Sequence, residues 1–451
     1  YTMGNSLGVQ GPLLFGLTAK APAKCLKKTV VFTKRNRGRV LLKKALLLSK
    51  KILPESADAI LLKNQEQYHE LPIPAEMQAI FNVKANDARN GITGVSNPCG
   101  LAKKKSGIYW GDLHVHTREF SDGAGTGKDA YHYLRDVMAM DFGALGDHSF
   151  QGGHSFCSEA PENDMHISQE DWIKMVSLAK QFSVAGRFVG IPGYEWSGRA
   201  GKSKPWWKYP AMSDKCIYFP NYKLTNPLVN QKKPDGDRPE KLYKRVKGAG
   251  ALVISHSPIS QPMGTAWEAV DNNIEDVTEI YSMHGASEYY GNPRQLISVT
   301  KGQSVRDALK LGLKLGFIGG GDDHLTHPGS GYPVEKSMMF PFIVCLKYRP
   351  GIAAIISDSL DIKSLFAALK KRHCYATTGE KIYLDFRIGK AIMGDEIKVS
   401  GSPVLKVTAC GTGRLQQVDI VKNGEIAHCF HCTEDRAKFA YKDEELKRGQ
   451  K

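Results

Sequence analysis

Five short apolar runs in the middle of the chain each end in histidine, aspartate or glutamate. Buried imidazole and carboxylate groups need partners, so core packing does not explain this repetition. In barrels of alternating strands and helices, active sites form at the carboxyl ends of the strands. The pattern therefore predicts that these side chains meet at one end of an α/β barrel. The five segments are residues 108–117, 144–148, 191–195, 253–256 and 318–324.

The first segment contains the pair His114 and His116. Residues two apart on a strand point to the same side, so both imidazoles can bind one ion. Imidazoles mixed with carboxylates suit Zn²⁺, Mn²⁺ or Fe²⁺, and bridged ions about 3.5 Å apart would fit hydrolysis. The cluster is therefore expected to hold divalent metal ions.

Amphipathic stretches separate the apolar runs. Their periodicity predicts helices at 130–140, 168–182, 242–247 and 305–315, and apolar runs predict strands at 188–191, 251–254 and 277–281. Strands that alternate with helices form parallel β-α units, and this number of units favours a barrel. Residues 107–378 are therefore predicted to be a barrel domain.

Two β-rich regions flank the predicted barrel. Residues 1–106 contain strand-like runs at 29–33 and 79–83, although 41–53 fits a helix equally well. Residues 379–451 alternate with a period of two at 382–388, 404–408 and 418–421, with a glycine turn at 422–425. This indicates an antiparallel C-terminal β module, whose completeness is left open.

The net charge of +16 is concentrated near the start of the chain. No acidic residue precedes Glu55, whereas twelve lysines and arginines do. One interpretation is attraction to a polyanion such as polysaccharide, nucleic acid or anionic lipid, and a solvated basic face is the favoured alternative. Few aromatic residues lie among these charges, which disfavours binding of single-stranded nucleic acid. The basic region and the β module favour a periplasmic or secreted protein over a cytoplasmic one.

The apolar runs and the cysteines argue against a membrane-spanning protein and against a disulfide-rich one. No apolar run approaches the ~20 residues of a membrane span. The nine cysteines are odd in number and scattered, which argues against a dense disulfide framework. Cys429 and Cys432 form one C-x-x-C pair without a second pair at zinc-ribbon distance. Two ordinary cysteines are favoured there over a structural metal.

The motifs around the predicted cluster resemble those of one family. They are W-G-D-L-H-x-H-T at 110–117, P-G-Y-E-W at 192–196, E-I-Y-S-x-H-G at 279–285, D-x-H-x-x-x-P-G at 322–329 and Y-A-T-T-G at 375–379. From about Gly107 onward, the chain resembles the PHP (polymerase and histidinol phosphatase) superfamily of metal-dependent phosphoesterases, in a bacterial branch labelled as a domain of unknown function. The resemblance implies a distorted TIM-like β/α barrel that holds two or three divalent ions.

The resemblance also implies ligands for the first metal. His114 and His116 would bind this ion, and Asp322 would complete its site. Glu195 would bridge it to a neighbouring ion.

Ligands for further ions follow from the same resemblance. His256 would serve the second ion, and His324 would lie in or beside the cluster. The S-D-G motif at 121–123 would place Asp122 with His148 at a third ion.

One ligand of the family pattern is missing. The family usually supplies another histidine between Glu195 and His256, and this interval contains none. Either Asp214 or Cys216 would substitute, or the second metal would be weakly held.

Other residues are candidates for proton transfer. His324, His284 and Asp147 are predicted to be catalytic. A satisfied structural histidine is an equal alternative for His284, and His327 is similar.

The remaining candidates are basic residues and histidines in predicted loops. Arg199, Lys202 and Lys204 would meet a phosphate or sulfate, although a solvated loop is favoured. His154 and His166 are predicted to be surface residues.

These features predict a phosphoesterase that uses a metal-bound hydroxide on an anionic small-molecule or polymer substrate. No Ser-His-Asp nucleophile elbow and no Walker loop appears in the sequence. The first alternative is hydrolysis of a non-phosphate ester or amide on the same metals, because fold does not fix substrate. The second alternative is a non-catalytic protein that binds polyanions.

Overall fold

The computed structural model describes residues 107–149, 167–198, 213–230, 233–261, 263–296, 298–329, 348–399 and 401–444, together with eight strands among the first hundred residues. Its contacts divide the chain into two units. One comprises Ser106–Gly379 with Met393–Asp395, and the other comprises the remaining residues. The division into three domains, with boundaries at 106 and 378, stays a prediction.

The described strands of the first hundred residues are short and antiparallel. They are β1 (Leu14–Leu17), β2 (Cys25–Phe32), β3 (Asp58–Leu61), β4 (Gln67–Pro74), β5 (Ile80–Phe81), β6 (Val83–Asp87), β7 (Ile92–Val95) and β8 (Cys99–Gly100). One sheet has the order β3-β1-β6-β7, β2 pairs with β4, and β5 pairs with β8. Strands β2 and β5 overlap the runs predicted at 29–33 and 79–83, while 41–53 lies outside the described residues.

The described strands of the central unit form two sheets. They are β9 (Gly107–Asp112), β10 (Phe142–Ala144), β11 (Val189–Ile191), β12 (Gly193–Gly198), β13 (Ser213–Tyr218), β14 (Leu252–Ser255), β15 (Val277–Ser282), β16 (Gly285–Ala286), β17 (Gly316–Gly319), β18 (Ile352–Ser357) and β19 (Cys374–Thr377). The first sheet has the order β11-β10-β9-β18-β19, and the second has the order β12-β13-β14-β15-β16, with β17 also paired to β15.

Both sheets mix parallel and antiparallel pairs. Strands β9, β10 and β11 are parallel, as are β14, β15 and β17, whereas β12, β13 and β14 pair antiparallel. The predicted α/β class is confirmed. Within the described residues, however, the strands pair into two sheets and not into one closed barrel. The antiparallel β12–β13–β14 pairing also replaces the expected parallel β-α units.

Two single-residue bridges link the sheets. Val115, just after β9, pairs in parallel with Asp323, which follows β17. His148, after β10, pairs in parallel with Glu195 of β12. The polar residues that follow the strands therefore lie where the two sheets meet.

The described α-helices are α1 (Gly127–His132), α2 (Gln169–Phe182), α3 (Pro239–Val246), α4 (Val305–Lys310) and α5 (Ile362–Lys370). Ser168 caps α2 in a capping box with Asp171, and this helix spans the stretch predicted at 168–182. Helix α1 continues as a π-helical turn over Tyr133–Val137. Helix α4 ends before the predicted residue 315, because Gly312 adopts a left-handed φ of 87°. No helix in this part of the chain has the length and apolar composition that crossing a membrane requires.

One apolar core joins residues from both sheets and from α5. Its buried members include Leu113, Phe142, Ile191, Cys216, Ile254, Val277, Ile318, Ile355, Leu365 and Leu369. Burying each large aliphatic or aromatic side chain contributes about 1.5–3 kcal/mol. Most of these residues lie on or beside strands that lead into the predicted metal-binding residues. The core therefore also fixes the positions of those residues.

A buried ion pair links β13 and β14 to the residues just before β15. Lys215 Nζ of β13 donates to Ser255 Oγ of β14 (2.8 Å) and to Glu275 Oε1 just before β15 (2.5 Å). Tyr243 of α3 donates to the same carboxylate. Lys215 and Glu275 are almost completely buried, so each charge depends on the other.

The C-terminal strands are antiparallel, as predicted. They are β20 (Tyr383–Ile388), β21 (Ala391–Ile392), β22 (Val404–Cys410), β23 (Gln417–Lys422), β24 (Glu425–His431) and β25 (Arg436–Lys442). They form a sheet of order β21-β20-β22-β25 and a β23–β24 hairpin. Asn423 and Gly424 have φ of 55° and 86°, as a two-residue hairpin turn requires. Cys429 is exposed and Cys432 is buried, and neither is in a disulfide.

Candidate metal centre

Four polar side chains come together through one backbone register. In the bridge between Val115 and Asp323, the N–H of His116 donates to Asp323 O (2.9 Å). Side chains that flank a bridging residue point to the same face. The flanking residues of both segments therefore share one face. These four residues are His114, His116, Asp322 and His324.

The second bridge adds His148 and Glu195. The N–H of Glu195 donates to Asp147 O (2.9 Å), and that of Ser149 donates to Glu195 O (2.6 Å). This places His148 Nδ1 3.3 Å from Glu195 Oε2. His256 enters directly after β14, beyond the parallel pairing of β14 with β15.

The carboxylate of Asp322 lies among several histidines. Its Oδ1 is 3.0 Å from His116 Nε2 and 3.6 Å from His114 Nε2. Its Oδ2 is 3.1 Å from His256 Nε2 and also contacts His284 Nε2. Asp322 has a φ of 50°, a left-handed conformation that few non-glycine residues adopt. Such backbone outliers concentrate at functional sites.

Four overlapping groups of metal-binding side chains occur among the described residues. Within each group the donor atoms lie within 4.8 Å of one another. The groups are His116, Asp122, His148 and His324; His114, His256 and Glu279; His114, His116 and Glu195; and His284, Asp322 and His324. Because every group shares a member with another, they form one continuous cluster.

The donor atoms are spaced as ligands around an ion. His114 Nε2 and His116 Nε2 are 3.1 Å apart and lie 3.3 and 3.4 Å from Glu195 Oε2. Ligands at ~2.1 Å from a tetrahedral ion are separated by about 3.4 Å. Two imidazole nitrogens that face each other beside a carboxylate oxygen therefore fit a divalent cation.

One side of the cluster is partly exposed to solvent. Asp122 Oδ2 lies 3.6 Å from His148 Nε2 and 3.5 Å from His324 Nε2. The side chains of Asp122, His324 and His284 are 16%, 13% and 15% exposed, whereas that of His114 is 0% exposed. The part of the cluster around Asp122 is therefore more exposed than the part around His114.

Glu279 is a member that the sequence patterns did not single out as a ligand. It lies in β15, and its side chain is only 2% exposed. Its Oε1 is 2.7 Å from His256 Nδ1, and its Oε2 is 3.1 Å from His114 Nδ1. A signal was present, because an acidic residue inside an apolar strand needs a partner.

Opposite charges shift the pKa values across the cluster. Burial lowers the pKa of His148, but the carboxylates of Glu195 and Asp122 outweigh it and raise the pKa to about 9. Burial also lowers the pKa of His324, but the carboxylates of Asp122 and Asp322 outweigh it and raise the pKa to about 10. Conversely, burial raises the pKa of Glu195, while His148 and His114 lower it to about 2. Without a metal, the carboxylates are therefore ionised and these imidazoles are protonated near neutral pH.

Asp147 holds the loop that carries Asp122. Its Oδ1 accepts from Thr117 N (2.7 Å) and Ser121 Oγ (2.6 Å), and burial raises its pKa to about 6. Among the described contacts it hydrogen-bonds to no histidine of the cluster. Its predicted part in proton transfer stays a prediction.

Asp112 joins two of the strand ends. Its Oδ1 accepts from His114 N (3.0 Å) and Gly321 N (2.7 Å). Burial raises the pKa of Asp112 to about 8. This residue was also missed from the sequence, where it resembles the end of an ordinary strand.

The two proposed substitute ligands lie beside the cluster and in none of its groups. Cys216 Sγ is 3.5 Å from His114 Nδ1. Asp214 is buried, and burial and the charge of Glu195 raise its pKa to about 7. Their roles as ligands stay predictions.

The other candidates lie apart from the four groups or outside the described residues. His327 packs edge-on against Tyr133, with ring centres 5.0 Å apart. The residues that lie outside the described part of the chain are His154, His166, Arg199, Lys202 and Lys204.

Gly320 makes room for the carboxylate of Glu279. A Cβ at this position would lie 2.0 Å from Glu279 Oε2 and 3.1 Å from His114 Cβ. Because two histidines hold that carboxylate, Gly320→Ala is expected to lower the free energy of unfolding by about 1–3 kcal/mol in urea denaturation. Gly248→Ala is a matched control, since nothing lies within 4 Å of its Cβ position. Equal stability of both variants would contradict this packing.

Comparisons of the sequence find distant relatives. No protein-family model matches the chain. Uncharacterized proteins of Chlamydia pneumoniae and Chlamydia trachomatis serovar D are each 27% identical to it over 76% of its length. A third, from Chlamydia muridarum, is 26% identical over 74%. The chain spans about half the length of these curated relatives, at 52% of the first.

A solved structure gives a weak structural match. It is a crystal structure from Bacteroides vulgatus, described as a two-domain protein that contains a predicted PHP-like metal-dependent phosphoesterase. The match has a TM-score of 0.38 and 11% sequence identity, and it covers 75% of this chain and 86% of that one. At this distance none of these relatives assigns an activity to the chain.

Proposed function

We propose that this chain is a metal-dependent hydrolase whose preferred substrates are phosphate esters. The observation that carries the proposal is the continuous cluster of six histidines and four carboxylates, with one side partly exposed to solvent. A structural metal site needs only a closed set of ligands, whereas a catalytic site keeps an accessible position. The mixture of nitrogen and oxygen donors suits Zn²⁺, Mn²⁺ or Fe²⁺.

The family motifs support a PHP-like fold for the central unit. Two of them, at 110–117 and 322–329, contain both partners of the Val115–Asp323 bridge. The two bridges between the sheets are compatible with a distorted, TIM-like barrel. That architecture and the family membership are part of the proposal.

Separate parts of the cluster would hold separate ions. His114, His116 and Glu195 would bind one ion at the buried side, next to Asp322. A bound divalent ion would activate water and neutralise charge on the phosphoryl oxygens. Several ions close together suit a doubly charged phosphate monoester better than a neutral ester, and this favours phosphate substrates.

The partly exposed side of the cluster would hold a further ion and a proton donor. Asp122, His148 and His324 would bind a further ion there, so that two or three ions are present. His284 is partly exposed and is placed to give a proton to the leaving oxygen.

The test is hydrolysis of chromogenic substrates by chelator-stripped protein, before and after addition of Mn²⁺, Zn²⁺ or Fe²⁺. A phosphate monoester, a phosphate diester and a carboxylic ester are compared. We expect activity only with metal and faster turnover of a phosphate ester. Metal-dependent turnover of the carboxylic ester alone would support the alternative hydrolase, and inactivity of metal-loaded protein on all three would contradict catalysis on these esters.

Two histidine variants make this test specific to the cluster. His116→Ala removes a buried imidazole of two metal-binding groups and is expected to abolish the metal-restored activity. His132→Ala is the matched control, because this side chain is 56% exposed and pairs with Asp136 outside the cluster. Equal activity of the two variants would contradict the site.

A further inference from the structure

Glu279 contacts the Nδ1 atoms of two candidate metal ligands. Its Oε1 lies 2.7 Å from His256 Nδ1, and its Oε2 lies 3.1 Å from His114 Nδ1. All three side chains are at most 3% exposed. One carboxylate thus engages both imidazoles through their Nδ1 atoms in a buried part of the cluster.

The opposite ring atoms of the two histidines face the remaining donors. His114 Nε2 lies 3.3 Å from Glu195 Oε2 and 3.1 Å from His116 Nε2. His256 Nε2 lies 3.1 Å from Asp322 Oδ2. Each ring therefore has one nitrogen on Glu279 and the other among the donors that would surround an ion.

The chemistry of a carboxylate selects one tautomer in each ring. An ionised carboxylate only accepts hydrogen bonds, so each facing Nδ1 must carry a proton. The lone pair of a neutral ring is then on Nε2, which is the atom that faces the other donors. Metal-ligating histidines commonly receive this support from a carboxylate, which fixes both tautomer and ring orientation.

The shorter of the two contacts favours hydrogen bonding over direct ligation by Glu279. A separation of 2.7 Å between His256 Nδ1 and Glu279 Oε1 is typical of a charge-assisted hydrogen bond. It is well below the about 3.4 Å between ligand atoms on one tetrahedral ion.

We propose that Glu279 is a positioning residue, which holds His114 and His256 with Nδ1 protonated so that both Nε2 atoms are presented to metal. This inference rests on the proposed metal-dependent function. Its consequence is that one buried carboxylate couples two candidate metal ligands, because loss of Glu279 would disturb both rings together.

The first experiment compares Zn²⁺ affinity of the wild type and of Glu279→Gln by calorimetric titration. Glutamine keeps the shape but offers one oxygen and one amide nitrogen, so it can accept from only one ring. The other ring then faces N–H donors, which favours the wrong tautomer. We expect affinity to fall about 10- to 100-fold. Glu288→Gln, at an exposed position, is the matched control and is expected to bind as the wild type does.

The second experiment reads the tautomers directly. Long-range ¹H–¹⁵N spectra of Zn²⁺-loaded wild-type protein should show both His114 and His256 with protonated Nδ1 and metal-bound Nε2. This measurement needs no variant, so it stays decisive if Glu279→Gln fails to fold. Spectra with Zn²⁺ on Nδ1 of either ring would overturn the inference in favour of a different ligand geometry.

The outcomes separate this inference from the proposed function. Unchanged Zn²⁺ affinity of folded Glu279→Gln would overturn the positioning role and leave the metal-dependent function standing. Failure of the wild type to bind Zn²⁺, Mn²⁺ or Fe²⁺ would overturn both. Weaker binding by Glu279→Gln, together with loss of one Nδ1–H signal and an unchanged circular dichroism spectrum, would support the inference.

Discussion

Replacing Asp322 by asparagine is expected to lower kcat/KM on a phosphate ester on the order of 10³-fold. The Asp322 carboxylate lies 3.0 Å from His116 Nε2 and 3.1 Å from His256 Nε2. An amide removes the negative charge and turns one acceptor into a donor, so it would bind a cation poorly at this position. Asparagine is preferred over alanine for this test because it tolerates the left-handed φ of 50° at this position.

The measurement is steady-state kinetics with saturating Mn²⁺, accompanied by thermal unfolding of the same samples. Asp358→Asn, at an exposed position of the same unit, serves as the control and should keep full activity. Wild-type activity of Asp322→Asn would remove Asp322 from the proposed machinery. A large fall in Tm with normal kcat/KM would instead assign it a purely structural role.

Much of the candidate site follows from where polar residues end apolar runs. His114, His148, Glu195, His256 and Asp322 all follow or lie in short buried strands, and the structure brings them together. Local sequence carries this information because a strand and the residue at its end are adjacent along the chain. Whether each residue binds metal is still a prediction.

Glu279 could not be assigned from the same rule, because it lies inside β15 and not after its end. Its role depends on His256 and His114, which are 23 and 165 residues away in the chain. The buried pair of Lys215 and Glu275, 60 residues apart, was missed for the same reason. Contacts between distant charged residues depend on tertiary register, which no local pattern contains.

The directions of the strands were also not predicted from the sequence. The apolar runs predicted strands correctly at β11, β14 and β15, but not the antiparallel placement of β13 between β12 and β14. A fully buried strand has the same apolar composition whether its neighbours are parallel or antiparallel. The α/β class was therefore predictable, and the pairing of the strands into two sheets was not.

Metal affinity is expected to rise steeply with pH. Burial lowers the pKa of His148, but Glu195 and Asp122 raise it to about 9; in His324 burial is again outweighed, and the pKa is about 10. Both rings must lose a proton before they bind an ion. With two protons released, affinity should increase about 100-fold per pH unit below about pH 9, where both rings of the metal-free protein are still protonated. Calorimetry of Mn²⁺ binding in two buffers with different ionisation enthalpies would count these protons.

The same protons set the stability of the metal-free protein, with the opposite sign. A histidine whose pKa is raised by folding contributes stability that is complete below its unfolded value of about 6.5 and is lost as pH rises through its folded value. For His148 and His324 that loss extends from about pH 6.5 to about 9 and 10. The increase in Tm on adding Mn²⁺ should therefore widen across this range, because the metal-free form weakens while binding strengthens. An increase in Tm that is independent of pH would mean that the ion does not displace protons from these imidazoles, and it would place the ion outside the group formed by His116, Asp122, His148 and His324.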